Sequence, residues 1–237
     1  MSRGIKALAL VAVVVVAVVL GFHFLRGDDA GPSASRGTDA SSGTDVVPPV
    51  PDDAPVDGMY VLSTVDSSGE VDVKTWIRTT TPISELDLTT TDPDLAPGGV
   101  ESLGVQVRSF AGKVLARRAS VGTNPQKLEL REPATELYLT YTIDGAMSDA
   151  SETVQDRSLA RVLGMDVSYA GDPGRVRRVV EGPGPILSMA CITVKDDEDF
   201  NASPRPCGTA TDDGGWSVDL KGVHTTDRLL ASLSLGS

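Results

Sequence analysis

An all-β fold is predicted for residues 58–237, and three features of the sequence predict it. Apolar residues recur at every second position through most of this stretch, the period of a strand with one buried face. Clusters of Gly, Pro, Asp and Asn break the alternation at short intervals, as in DSSGE, DPDLAPGG, GTNPQ, GDPG, EGPGP and DDGG. No segment of this region sustains the 3.6-residue period of an amphipathic helix. Roughly a dozen short strands at such spacing indicate a β-sandwich, built as one continuous unit or as two smaller β units.

The first element is of another kind. Ala7 to Leu25 read ALALVAVVVVAVVLGFHFL, 19 residues without an acidic or basic side chain except His23. As a helix this run is about 28 Å long, close to the hydrocarbon thickness of a bilayer. Its valines, leucines and phenylalanines make insertion favourable by roughly 4–8 kcal/mol, and lipid enforces the helix because backbone groups find no other partners there. Arg3 and Lys6 precede the run, whereas Arg26 is followed by Asp28 and Asp29. Positive charge stays inside, so residues 1–6 are expected in the cytoplasm, 7–25 as a transmembrane signal anchor, and the remainder outside. A cleaved signal peptide would have a shorter core ending in an A-x-A-like site. The best small-residue site here, Gly31-Pro32-Ser33, carries a proline. No cysteine stands at the end of the run, which argues against a lipoprotein. His23 lies two residues from the end of the span, within reach of the headgroups.

Residues 26–57 are rich in Gly, Ser, Asp, Thr and Pro and nearly devoid of large apolar side chains. Such a stretch cannot offset its ordering entropy by burial and reads as a disordered linker. Its end, VVPPVPDDAP, is expected to be stiffer and polyproline-like. A flexible spacer of this length holds a domain roughly 30 Å from the membrane.

The strands follow in order. Tyr60–Val65 opens the domain. Val71, Val73, Thr75 and Ile77 then alternate with Asp72, Lys74, Trp76 and Arg78, and Ile83–Thr89 follows. Leu103, Val105 and Val107 alternate with Gly104, Gln106 and Arg108; next come Lys113–Ala119 and Lys127–Arg131. Leu137, Leu139, Tyr141 and Ile143 share a face against Tyr138, Thr140 and Thr142. Val162–Tyr169, Val176–Val180 and Ile186–Val194 are further strands, and Trp216–Leu220 and Leu229–Leu235 close the set. Between Asp144 and Ala160 the pairing of Asp149 with Glu152 is a helix-capping signal, suggesting one short helix. A sub-boundary is expected near residues 171–174, should the domain divide.

Cys191 and Cys207 are the only cysteines, and both fall in the exported part. An even count in an oxidising compartment points to a disulfide. It would close the loop KDDEDFNASPRP and stabilise the fold by roughly 3 kcal/mol.

Catalytic chemistry finds little material. Beyond the apolar run there is one histidine, His224, which excludes a multi-histidine metal site; HExxH, GxSxG and SxxK patterns are absent. His224 sits in KGVHTTD and reads as a solvated loop residue. A glycosidase would pair carboxylates across an aromatic-lined groove, and aromatic residues are 4% of the chain. No cofactor is expected, with calcium as the nearest candidate. Asp196, Asp197, Glu198 and Asp199 could supply oxygen ligands, as could Asp212 and Asp213 before Gly214-Gly215, although nothing matches an EF-hand loop.

Acidic side chains outnumber basic ones 33 to 21, and three of the 21 (Arg3, Lys6 and Arg26) flank the apolar run. That balance opposes binding to nucleic acid or anionic surfaces. Arg175, Arg177 and Arg178 form a local basic spot whose simple reading is charge balance. Alternation places Trp76 on the face opposite Val71, Val73 and Ile77, and Tyr138 likewise opposite its apolar neighbours. Both are candidate contacts for a partner protein, or are covered by other parts of the fold.

Arginine outnumbers lysine, and Val, Ala, Asp and Gly are abundant, as in high-GC bacteria. A short basic start, a Val/Ala-rich span, a Ser/Pro/Asp stalk and a β-rich domain together resemble membrane-anchored envelope proteins of actinobacteria. The segments YLTYTIDGAMS, RSLARVLGMDVSY and MACITV…PRPCG…GGWSVDL carry this resemblance. It implies a location in the cell membrane and a fold class, and assigns no site residue. The expectation is a tethered, non-enzymatic module making protein contacts in the envelope. An envelope hydrolase with an unrecognised carboxylate site and a calcium-stabilised binding module are the alternatives.

Overall fold

In a computed structural model of the chain, the structure describes residues 46–90, 99–149, 157–171, 173–193 and 204–234. The anchor at 7–25 and the acidic loop Asp196–Asp199 lie outside these residues. Among the described residues no helix is long and apolar enough to cross a membrane.

The described chain is all-β. Its strands are β1 (Gly58–Val65), β2 (Val71–Thr89), β3 (Glu101–Ser109), β4 (Val114–Val121), β5 (Gln126–Asp144), β6 (Met147–Asp149) and β7 (Arg157–Ala160). They continue with β8 (Asp166–Ser168), β9 (Arg175–Glu181), β10 (Ile186–Ile192), β11 (Arg205–Pro206), β12 (Thr209–Ala210), β13 (Trp216–Lys221) and β14 (Arg228–Ser234). A single 3₁₀ turn, Gly222–His224, precedes β14.

A nine-stranded sheet runs β12-β13-β9-β1-β2-β5-β3-β4, with β8 added to the end of β2. A five-stranded sheet runs β11-β10-β14-β7-β6. All neighbours are antiparallel except β1 and β9. The inward faces of both sheets feed one apolar cluster. Val71, Val73 and Ile77 of the larger sheet and Met189, Cys191, Ala231 and Leu233 of the smaller belong to it. Alternation explains the choice of face: in-register neighbours project the same way, so buried residues on one strand lie beside buried residues on the next.

Two pairs of expected strands are continuous. Val71–Ile77 and Ile83–Thr89 form the 19-residue β2, and Lys127–Arg131 and Leu137–Ile143 form the 19-residue β5. The intervening Pro82 and Pro133 fall where the β2–β5 register shifts, between the pairs Arg78↔Glu136 and Glu85↔Glu129. A proline cannot donate to the ladder but is tolerated at a bulge, so the strands deform there instead of ending. Val162–Tyr169 shrinks to the three-residue β8. Met147–Asp149 is a strand, so Asp149 ends β6; residues 150–156, where the helix signal continues, lie outside the described residues. Pairing also crosses 171–174 without a break, because β9 lies between β1 and β13 in the larger sheet.

The linker expectation is corrected at its end. Residues 46–57 are packed on the domain, with Pro55 buried and Val47, Pro48, Val50, Pro51 and Ala54 partly buried. A turn closes at Ala54, whose N–H donates to Pro51 O at 3.0 Å. The chain then enters β1 at Gly58 with φ +138°, where a Cβ would stand 2.1 Å from Arg175 O, so only glycine fits. Composition argued for disorder because it counts only what the segment itself could bury, whereas here the sheet supplies the apolar surface.

Candidate functional site

The register builds a continuous row of large side chains on the outer face of the larger sheet. Asp219 of β13 faces Arg177 of β9, and Arg177 faces Tyr60 of β1. Tyr60 faces Trp76 of β2, Trp76 faces Tyr138 of β5, and Tyr138 faces Arg108 of β3. The Tyr60 and Trp76 rings meet edge to face at 5.7 Å and 78°, and Trp76 and Tyr138 are tilted at 5.2 Å and 53°. Such pairs each add about 0.5–1.5 kcal/mol beyond their buried area.

The chain's own residues 47–54 lie over this row as a strap. Val47, Val50 and Ala54 pack with Tyr60, Trp76, Tyr138 and Val179, and Leu62 and Phe110 join from the sheet side. Trp76 Nε1 donates to Pro48 O at 3.3 Å, and Asp53 pairs with Arg177 Nε at 2.7 Å. An indole N–H directed at a backbone carbonyl of a proline-rich segment is a feature by which aromatic grooves recognise such segments. Burial pushes the Tyr60 phenol up to about 12; Asp53 adds to the rise and Arg177 opposes it. Burial raises Tyr138 as well, against the pull of Arg108.

Trp76 and Tyr138 are therefore side by side, as alternation required, but only 4% and 6% exposed. Of the two expectations for them, contact with a partner or cover by other parts of the fold, the described structure has the second: the strap covers them. The expected basic spot also divides. Arg175 and Arg177 share Asp219 at 3.1 and 3.0 Å, whereas Arg178 turns inward between Val176 and Val180.

That inward turn contributes to a second cluster, between the sheets. Arg178 is 7% exposed, and its Nε is buried without a hydrogen-bond partner. Its field reaches Tyr141 and Asp166. Tyr141 Oη accepts the Met165 N–H at 2.8 Å. Burial pushes this phenol up to about 12, opposed by the Met165 bond and by Arg178. Asp166 keeps 35% of its side-chain area exposed, yet protein crowds its carboxyl, and lost hydration raises it. Arg228, at 3.4 Å, and Arg178 pull the other way. Serine 63 completes the cluster by donating to Leu163 O.

Cys191 and Cys207 form the expected disulfide, with Cα atoms 5.7 Å apart. Cys191 is fully buried on β10, and the bridge holds β11 against it. Beside the bridge, Arg205 of β11 pairs with Asp227, whose side chain is completely buried. His224 is exposed, as expected of a solvated loop residue, and its Nδ1 also lies 3.2 Å from the same carboxylate. Asp213 and Glu181 border an open hollow of about 570 Å³ between two glycine-rich turns. Among the described residues no three His, Cys, Asp or Glu side chains are placed to hold a metal.

The strap, Asp227 and the Arg178 cluster were not legible beforehand. For the strap a signal existed, since VVPPVP is a known type of partner for aromatic faces and alternation placed Trp76 on the outward face. Nothing in RRVV or TTDR distinguishes a buried charge from an exposed one.

No protein-family model and no curated protein matches the chain. Among solved structures it is similar to an aminopeptidase N family protein from Idiomarina loihiensis, with 12% identity and a TM-score of 0.43 over 73% of this chain and 29% of that one. An M1 zinc metallopeptidase from Deinococcus radiodurans gives 14% and 0.38 over 74% and 41%. Native yeast LTA4 hydrolase gives 10% and 0.39 over 75% and 28%. The chain spans less than half of each of these proteins, and at such scores the likeness carries no functional inference.

Proposed function

We propose that this chain is a membrane-tethered β-sandwich that makes protein contacts in the bacterial cell envelope and performs no catalysis. In this reading residues 7–25 anchor it with the N-terminus in the cytoplasm, the stretch up to about residue 45 spans the space above the membrane, and the β domain stands outside. The envelope proteins of actinobacteria that it resembles are the natural setting. The observation that carries the reading is the docked strap. A tether that swivels freely would be enough for a soluble domain that only needs to stay near the membrane. Here its last residues are fastened across the sheet by an indole hydrogen bond, an ion pair and apolar packing. The fastening commits the aromatic face of the larger sheet to the chain's own strap, so a partner must meet the domain on another face.

The test is photo-crosslinking in cells, with the crosslinker placed singly at exposed positions around the tagged full-length chain. One partner, captured from neighbouring positions on one face, is expected. Crosslinks spread evenly over all faces, or only to abundant background proteins, would overturn the reading. Export is checked separately by labelling of an introduced exposed cysteine with an impermeant maleimide in intact cells.

A further inference from the structure

The larger sheet ends in an open edge at β4. Among the described strands that end a sheet, β11 and β12 have two residues and β6 has three, whereas β4 has eight. Among the described residues it pairs with β3 and with no strand on its other side. One row of its backbone N–H and C=O groups is therefore unpaired by any described strand, a ready template for another strand. Its exposure pattern is unusual for a strand of a two-layer fold. Arg117, Arg118 and Ala119 are exposed in succession, so both faces as well as the edge are open there.

Two further observations specify the occupant. Among the described residues Arg117 and Arg118 make no ion pair with a carboxylate, although the chain carries a net charge of −12. Adjacent guanidiniums repel a second copy of β4 and attract a strand of opposite charge. Beside them, β3 bulges at Gly104, which has φ +63° and no atom within 4 Å of a Cβ. The bulge leaves an open hollow of about 370 Å³ bordered by Gly104, Gln106, Arg117, Arg118 and Thr140. It is large enough for side chains of an added strand.

We propose that β4 is a strand-addition site for an extended acidic segment of a partner protein. The proposal rests on the contact-making reading above and names the surface and the chemistry of the partner. The backbone of the added segment pairs with the free edge, and its Glu or Asp side chains meet Arg117 and Arg118.

The test uses the full-length chain in lipid nanodiscs and a labelled eight-residue valine–glutamate peptide whose two adjacent central glutamates face opposite sides of a strand, as Arg117 and Arg118 do. Saturable binding is expected. It should weaken at least about tenfold in the double variant Arg117→Glu/Arg118→Glu, since two exposed charge pairs become repulsions. Both side chains are exposed, so the variant should melt with the parent, which is checked by circular dichroism. Two control peptides decide the mode. A valine–lysine peptide should not bind. A valine–glutamate peptide N-methylated at alternate amides should lose binding, because it keeps the charge and cannot pair with an edge. Equal binding of the methylated peptide would reduce the site to charge attraction and overturn strand addition. Absence of binding, or indifference to the double variant, would overturn it too. Crosslinks to one partner from a face remote from β4 would sink this proposal while leaving the envelope-contact reading intact.

Discussion

Replacing Trp76 by alanine tests whether the strap and the aromatic row form one structural unit. The indole is 4% exposed, sits between Tyr60 and Tyr138, and donates to Pro48 O. A tryptophan buries about 150–250 Å², which at about 25 cal/mol per Å² amounts to roughly 4–6 kcal/mol. Partial collapse of the site lowers the cost, and Trp→Ala changes in cores run about 3–5 kcal/mol. About 4 kcal/mol is expected in urea unfolding followed by circular dichroism, a fall in melting temperature of about 10 °C. Trp76→Phe keeps much of the packing but loses the N–H bond, and should cost about 1–2 kcal/mol. The second readout is cleavage by an endoproteinase that cuts before aspartate, at Asp52 and Asp53. Loosening the strap by about 1–2 kcal/mol raises its open population, and hence the cutting rate, roughly 5- to 30-fold. A loss below about 1 kcal/mol for Trp76→Ala, with cleavage unchanged, would refute the strap as a docked element.

Three other outcomes follow from the same structure. Reducing Cys191–Cys207, or replacing both cysteines by alanine, should lower stability by roughly 3 kcal/mol, seen as a lower melting temperature with a phosphine reductant; the double variant should not respond to the reductant. Arg205→Met strips Asp227 of its cation while leaving its carboxylate buried, and should cost about 2–3 kcal/mol in urea unfolding. Adding Asp227→Asn should recover part of that loss, and full independence of the two changes would refute the pairing. Tyr141 has a folded-state pKa of about 12 against an ordinary 10. The folded state thus holds a proton that the unfolded chain releases, so stability present below pH 10 is lost as pH rises toward 12. Asp166, raised above 3.8 by lost hydration, acts with the same sign in the acid range. Its contribution is present below that value and lost as pH climbs through the folded pKa. Asp166→Asn should remove this decline from stability curves measured between pH 3 and 7, and an unchanged slope would count against it.

The alternation of apolar residues by itself determined the class of the fold and the faces of its main strands. Val71, Val73 and Ile77 had to share one side and Trp76 the other, because the strand period is two whatever the neighbours are. The cysteine pair was legible for a simpler reason, since with two cysteines in the sequence each has one candidate partner. Pairing order was not legible. No local property of RVRRVV says that β9 lies parallel to β1, because that choice depends on surfaces presented by strands more than a hundred residues away. The proline interruptions misled for the same reason: Pro82 and Pro133 look like strand ends until they fall in one bulged stretch. The site depended most on tertiary structure. Sequence identified an outward tryptophan and a proline-rich stretch, but only folding brought them together, burying the one beneath the other. The burial of Arg178 and Asp227 was likewise decided by packing, because a charged side chain reads the same in sequence whether water or protein surrounds it.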